Sequence, residues 1–342
     1  MTKRPQPPWH CWQFDPRVRY SDLTASVWAA KRPKPYEPVF LSMRPAYFPW
    51  LLAILRRAGT RPVWDMRVMY AMLVACVTMF WGWPALLVSV VSYPAIFSDD
   101  RGNLDHVINA GALVAVGLLY AGFPVLGGVL LGMAAATKGY PMAWGLLWWG
   151  SWLGLGAVVG TCLACTVGPM LCWGLRETWT NWRQGLKDFS AMTGPCVLGP
   201  DYSNAHYCSD PLNAVRLLHW WRGKAFPYQA WARVNLVVVT GWALGLTWLA
   251  WTTPHLWVCC LALGLIQCVW PGVCTDYKLT VLGLGFALAL SAAAPWGVLA
   301  CLGVLWLPKH CYFPRYPMSK GSISCLINPV ALVVLTVLLW LV

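Results

Sequence analysis

From residue 68 onward the chain alternates between long apolar runs and short polar breaks. The runs are Val68–Phe97, Val107–Ala136, Met142–Leu175, Val234–Trp251, His255–Cys274, Leu279–Leu307 and Cys325–Val342. A helix needs about 20 residues to cross the hydrocarbon core of a bilayer, so the pattern predicts at least seven spans. Membrane β-strands would read as short alternating segments, and these runs do not alternate. Backbone in lipid must satisfy its own hydrogen bonds. The expected fold is therefore all-α, a polytopic transmembrane helical bundle of seven or eight spans. Two runs leave the count open. Met142–Leu175 is rich in glycine, and Leu279–Leu307 contains Ala294-Pro295. Each reads as one tilted helix or as a tight hairpin. Doubling back 142–175 would gather most Lys and Arg on the side of the N-terminus, as cytoplasmic loops prefer. Half-spans of about 16 residues are short for a crossing, so both counts stand.

The polar stretches carry their own patterns. Residues 1–40 are rich in proline and basic side chains and read as extended, poorly ordered chain. Residues 46–58 hold Trp50 and an apolar series ending in Arg56 and Arg57, the marks of a helix lying at the membrane surface. In 176–233, Trp179, Trp182, Leu186 and Phe189 recur at helical spacing with Arg183 among them. A second helix starts at Asp210-Pro211 and closes on Trp220, Trp221, Arg222 and Lys224. These Trp, Arg and Lys residues form the expected membrane-interface set. The competing reading is a small extramembrane subdomain with the tryptophans as its own core. The chain thus divides into a basic arm (1–67), N-terminal membrane helices (68–175), an interfacial region (176–233) and C-terminal membrane helices (234–342).

Composition strengthens this picture. The 342 residues are 58% hydrophobic and 11% charged, where a soluble domain carries about 25% charged residues. The formal charge is +13, and residues 1–67 hold 12 basic against 4 acidic side chains. Such an arm is drawn to anionic lipid or to RNA phosphates, and it keeps the N-terminus cytoplasmic. Of 14 cysteines, most lie in apolar runs, where Cys acts as a small buried residue. Cys196 and Cys208 could pair if their loop faces away from the cytosol. With His206 they are too few for a zinc site. The sequence has no glycosylation acceptor and no visible signal peptide.

Small-residue spacings predict close helix packing at Gly128 and Gly132, Gly150 and Gly154, Gly156 and Gly160, and Gly241 and Gly245. That packing could be internal, between copies of the chain, or with other membrane proteins. Candidate chemistry is sparse. There are two glutamates, Glu37 and Glu177, and neither is paired with another carboxylate. Asp99, Asp100 and Asp105 cluster next to His106. They read as a solvated turn, or as oxygen ligands for a cation or a substrate phosphate. Cys162 and Cys165 read as packing residues. No hydrolase, zincin or phosphate-loop motif occurs, and no cofactor or metal site is expected. Ion-coupled transport needs ionisable groups within the spans. Asp276 and Lys278, at a break, come nearest.

These readings favour a non-enzymatic protein that organises or scaffolds a membrane, on the general plan of viral envelope and replication-membrane proteins. Two alternatives remain. One is a passive channel or permease with Asp276 and Lys278 on its path. The other is a lipid-modifying enzyme working through Asp99, Asp100 and Asp105.

Overall fold

The computed structural model describes residues 21–38, 44–57, 59, 61–198, 215, 219, 222, 227–269, 276–308 and 324–342. Every regular element among them is helical. The elements are α1 (Ser21–Lys31), α2 (Pro49–Arg57), α3 (Pro62–Val90), α4 (Tyr93–Arg101), α5 (Asp105–Tyr120), α6 (Pro124–Lys138), α7 (Trp152–Trp173), α8 (Leu175–Leu198), α9 (Tyr228–Thr252), α10 (Leu256–Val269), α11 (Gly283–Ser291), α12 (Trp296–Trp306) and α13 (Ser324–Trp340). Two 3₁₀ segments, Tyr140–Trp148 and Asp276–Leu282, join them. The chain forms two compact units. One is built from Tyr20–Ser89 and Gly102–Met192, the other from Val90–Arg101 and Thr193–Val342.

In the first unit, the run beginning at Val68 does not form a straight helix. Gly82 (φ 73°, ψ −168°) interrupts α3, two residues before Pro84. The Tyr70 hydroxyl donates to the Ser89 carbonyl at 3.1 Å. In a straight helix, 19 residues at about 1.5 Å each would hold those groups about 28 Å apart. The chain therefore folds back at Gly82, where only a residue without a Cβ meets such dihedrals cheaply. The run Val107–Ala136, expected as one span, is a hairpin of α5 and α6. The Phe123 N–H donates to the Leu118 carbonyl (2.8 Å) and the Gly122 N–H to the Leu119 carbonyl (3.1 Å). Gly122 sits at φ 87°. This pair of bonds closes a helix with a left-handed residue, and Pro124 then opens the next. Met142–Leu175 is neither one tilted helix nor a symmetric hairpin. A 3₁₀ stretch is followed by the 22-residue α7, capped by Ser151, whose hydroxyl accepts from the Gly154 N–H.

The α6–α7 contact is the closest helix packing in this unit. A Cβ placed on Gly128 would lie 2.4 Å from the Gly154 carbonyl oxygen, and one on Gly132 would lie 2.5 Å from that of Val158. Gly154 itself faces Trp148 and Pro124, and the Trp148 indole donates to the Pro124 carbonyl at 2.8 Å. Gly150, Gly156, Gly160 and Gly241 face open space, and Gly245 comes within ordinary contact of Trp340. Spacing alone could not separate these positions, because a glycine pair marks an interface only when a partner backbone lies opposite.

The arm was expected to be extended over residues 1–40. Residues 21–31 are instead helical, and residues 1–20 lie outside the described residues. Leu23, Ala29, Ala30 and Tyr36 pack with Leu51, Leu52, Leu55, Met170 and Trp182 into one buried cluster. Trp182 therefore lies in a buried cluster rather than on an exposed face. On α8 the inward face is Thr178, Trp182 and Gly185, at i, i+4 and i+7, while Trp179, Leu186 and Phe189 are exposed. Gly185 explains the difference: a Cβ there would meet the Pro45 carbonyl oxygen at 2.3 Å. A pattern read from large side chains cannot see a face built on glycine.

In the second unit, α10 is buried along nearly its whole length. It packs on α9, on α11 and the 3₁₀ segment Asp276–Leu282, and on α13. Leu279–Leu307 resolves into that segment, α11 and α12. The closing bonds of α11 repeat those of α5, from the Ala294 N–H to the Ala289 carbonyl (2.9 Å) and from the Ala293 N–H to the Leu290 carbonyl (3.3 Å). Here Ala293, at φ 48°, holds the left-handed position, and Pro295 follows. By length and composition three helical stretches qualify to cross a membrane: Trp152–Trp173, Arg233–Thr252 and Pro62–Val90, the last through its limb before the Gly82 reversal. Met72, Met79, Leu153, Leu163, Val237 and Leu244 on these helices point outward. Water would not tolerate so much exposed apolar surface; lipid requires it. This is an integral membrane protein.

Candidate functional site

The region read as one polar loop, Ser98–His106, is not a loop. Ser92 caps α4, its hydroxyl accepting from the Ala95 N–H at 3.1 Å, and the helix runs to Arg101. Gly102, at φ 67°, turns the chain, and Asp105 begins α5. The three aspartates thus stand on two helices, with Asp99 and Asp100 in the last turn of α4 and Asp105 in the first turn of α5.

Asp105 is at home where it stands. A carboxylate suits a helix N-terminus, where the dipole is positive. Its side chain is 1% exposed. One oxygen accepts from Lys138 Nζ at 2.9 Å, and the other accepts a short bond from the Tyr140 hydroxyl. Lys138 also donates to Asn103 Oδ1 at 2.6 Å, and that oxygen accepts from the Asp105 backbone N–H at 3.2 Å. Asn103 Nδ2 donates to Asp22 Oδ2 at 3.3 Å. His106 is buried and meets the Tyr70 ring edge-on at 4.6 Å. This network ties the open end of the α5–α6 hairpin to itself and to α1. Both oxygens of Asp105 are engaged, so it serves as a clamp. Lys138 and Tyr140 fell in what the sequence showed only as a short break. The usable signal was that Lys138 is the one charged residue between Asp105 and Arg176.

Asp99 and Asp100 are placed against local preference. The C-terminal end of a helix is the negative end of its dipole, and two carboxylates there raise its energy. Arg101 offsets part of that. Such conflicts between local rule and observed sequence concentrate at functional positions. Asp100 is buried and Asp99 half-buried. Helix α4 packs on the 3₁₀ segment Asp276–Leu282, which α10 also packs against. That segment carries Lys278. The structure therefore brings the Asp99/Asp100 helix against the segment that bears Lys278, two features the sequence presented as unrelated.

The interfacial set is divided. Arg56, Arg57, Arg183 and Arg222 are exposed, Trp50 is half-buried and Trp179 is half-exposed. Trp220, Trp221 and Lys224 lie outside the described residues. So does Cys208; Cys196 falls within α8 rather than in a loop, and the expected pairing rests on residues not described. Residues 44–45 lie across α8. The Arg44 N–H donates to Asp188 Oδ2 at 3.2 Å, and Arg44 Nε donates to Asn181 Oδ1 at 3.1 Å. The hydrogen bond from Gln184, then that from the Arg44 backbone, hold the Asp188 carboxyl below the usual aspartate range. Burial pushes the Tyr47 phenol up to about 12, with the Asp22 charge adding to it. Burial also raises Tyr36, whose hydroxyl donates to the Tyr47 carbonyl at 2.7 Å.

Comparison with known proteins gives one result. The model of glycosyltransferase family 87 matches residues 39–270, about two thirds of the chain. No curated protein and no solved structure matches it. The match overturns the expectation of a non-enzymatic scaffold on a viral plan. That expectation rested on the lack of a catalytic motif in soluble-enzyme style. Acid–base chemistry can be carried by a single positioned carboxylate, and a single residue leaves no spacing signature.

Proposed function

We propose, from the premise that this chain belongs to glycosyltransferase family 87, that it transfers a glycosyl group at the membrane, with the acidic end of α4 as its reaction centre. The observation that carries this reading is the pair Asp99 and Asp100, held at the unfavourable end of a helix that packs against the Lys278 segment. Glycosyl transfer passes through a cationic, oxocarbenium-like anomeric carbon. An acceptor hydroxyl attacks that carbon while its proton passes to a carboxylate, and the bond from the carbon to the leaving-group oxygen breaks. Asp99 is the base, because it alone of the three aspartates is more than slightly exposed. Asp100 contributes negative potential toward the cationic carbon. Arg101 and Lys278 balance the charge that develops on a phosphate leaving group. Lys278 lies beyond the matched residues, so this role rests on packing alone. The basic arm, with Arg56 and Arg57 exposed on α2, rests on anionic headgroups of the cytosolic leaflet in this reading.

The test is transfer of labelled sugar from a panel of activated donors by the purified protein in proteoliposomes. General-base catalysis is worth roughly 10²–10⁴-fold. Asp99→Asn should therefore lower kcat by at least about 100-fold, with the protein folded and inserted. Asp105→Asn, corrected for its folded fraction, should retain turnover. Full activity in Asp99→Asn would move the reaction centre elsewhere.

A further inference from the structure

We propose that Gln267 recognises the sugar, its side-chain oxygen accepting a hydrogen bond from a donor hydroxyl. The inference rests on the transferase reading and extends it to a specificity residue. Gln267 lies in α10, 2% exposed, in an otherwise apolar helix. Its Nε2 donates to the Leu263 carbonyl at 3.1 Å. Its Oε1 is buried and has no partner among the described residues. Buried side-chain oxygens are nearly always bonded, so an orphan in the last turn of a packed helix points to a partner supplied from outside.

Neighbouring contacts fix its level. A Cβ on Gly285 would meet Leu261, and one on Gly264 would meet Val281 and Leu282. Moving three residues up α10 thus moves three or four residues down the facing strand of chain. Carried three residues further along the same helix face, this register puts position 267 opposite Leu279, the neighbour of Lys278 in sequence. The segment Asp276–Leu282 packs against both α10 and α4. One element therefore packs both on the helix that bears the orphan oxygen and on the helix that bears the carboxylates. The ligand that fits carries a hydroxyl donor beside an anionic group: a glycosyl unit with one hydroxyl to Gln267 and its phosphate toward Lys278.

The experiment compares wild type with Gln267→Met, which keeps length and apolar character but removes the acceptor. Heat stability in detergent and steady-state transfer are both measured, using the best donor and its deoxy analogues. Gln267→Met should be at least as heat-stable as wild type, because the orphan is gone. Its KM for the donor should rise about tenfold, the worth of one hydrogen bond. Wild type should lose the same factor for one particular deoxy donor, to which Gln267→Met is indifferent. Lower stability with unchanged KM would show a purely structural glutamine and overturn the inference while leaving Asp99 untouched. Absence of transfer by wild type with every donor would sink the transferase reading and this inference together.

Discussion

The clamp at Asp105 offers the sharpest test of how this fold is held. Lys138→Met removes two charge-assisted bonds, to Asp105 at 2.9 Å and to Asn103 at 2.6 Å. Bonds of this kind are worth about 1.5–3 kcal/mol each. The Lys138 side chain is 26% exposed, so water competes for it and the sum must be cut. Asp105, at 1% exposed, keeps only Tyr140 as a side-chain donor and has no water to turn to. A loss of about 2–3 kcal/mol results, set mainly by the stranded carboxylate. Asp105→Asn strands an ammonium that can still reach solvent, and should cost about 1–2 kcal/mol. The double variant strands neither charge. It should be less destabilised than the two single losses summed, by about 1–2 kcal/mol. Equilibrium unfolding of the detergent-solubilised protein, followed by tryptophan emission, measures all four states. Strict additivity, or a Lys138→Met variant as stable as wild type, would refute the clamp.

Other expectations follow from single positions. Ala293→Gly should stabilise by about 1 kcal/mol, because Ala293 occupies φ 48° with a Cβ; the mirror change, Gly122→Ala, should cost a similar amount, and a lack of opposite shifts in melting temperature would contradict the shared turn geometry. Gly128→Ala should destabilise by about 1–3 kcal/mol through collision with the α7 backbone, while Gly160→Ala, facing open space, should be neutral in the same melt. Asp188 holds its proton less tightly when folded than unfolded, so its contribution is present above the usual aspartate range and is lost as pH falls through its lowered value; hydrogen exchange of the Arg44 backbone N–H, which donates to Asp188, should quicken relative to its unfolded-chain rate in that acid window, and Asp188→Asn should remove the pH dependence. Tyr47 has the opposite sign, its phenol shifted from 10.0 to about 12. The arm core should be intact below pH 10 and should loosen as pH climbs toward 12, read by tyrosinate absorbance.

Much of the architecture was legible because it depends on the solvent. The apolar runs that mark lipid-facing helices are long, and the end of α9 was placed to within one residue. What sequence hid were the reversals. Gly82 and Gly122 lie inside apolar runs and turn the chain without any polar residue to announce it, since in lipid a turn need not be hydrophilic if its backbone bonds are closed internally. The buried faces of α8 and α6 were hidden likewise, because glycine contributes nothing to a hydrophobic pattern. At the candidate site, the aspartates were visible and their helices were not. Lys278 was visible too, but only the packing of its segment against α4 shows what it stands near. Gln267 passed unnoticed as one polar letter in an apolar run, though a lone amide at such a place is costly enough to be a signal.

The α5–α6 hairpin has a consequence for biogenesis. Its helices have 16 and 15 residues, about 24 and 22 Å, each too short to be released into lipid as an independent span. Joined by the Gly122 turn and neutralised at the open end by Asp105 and Lys138, they can partition into the bilayer as one preassembled unit. A lysine that enters already paired carries no topogenic weight. For the 70 or so residues around it, Lys138 should be counted as zero when loops are assigned to sides by charge, and the sidedness of the downstream helices is then decided by Arg176 and the residues that follow.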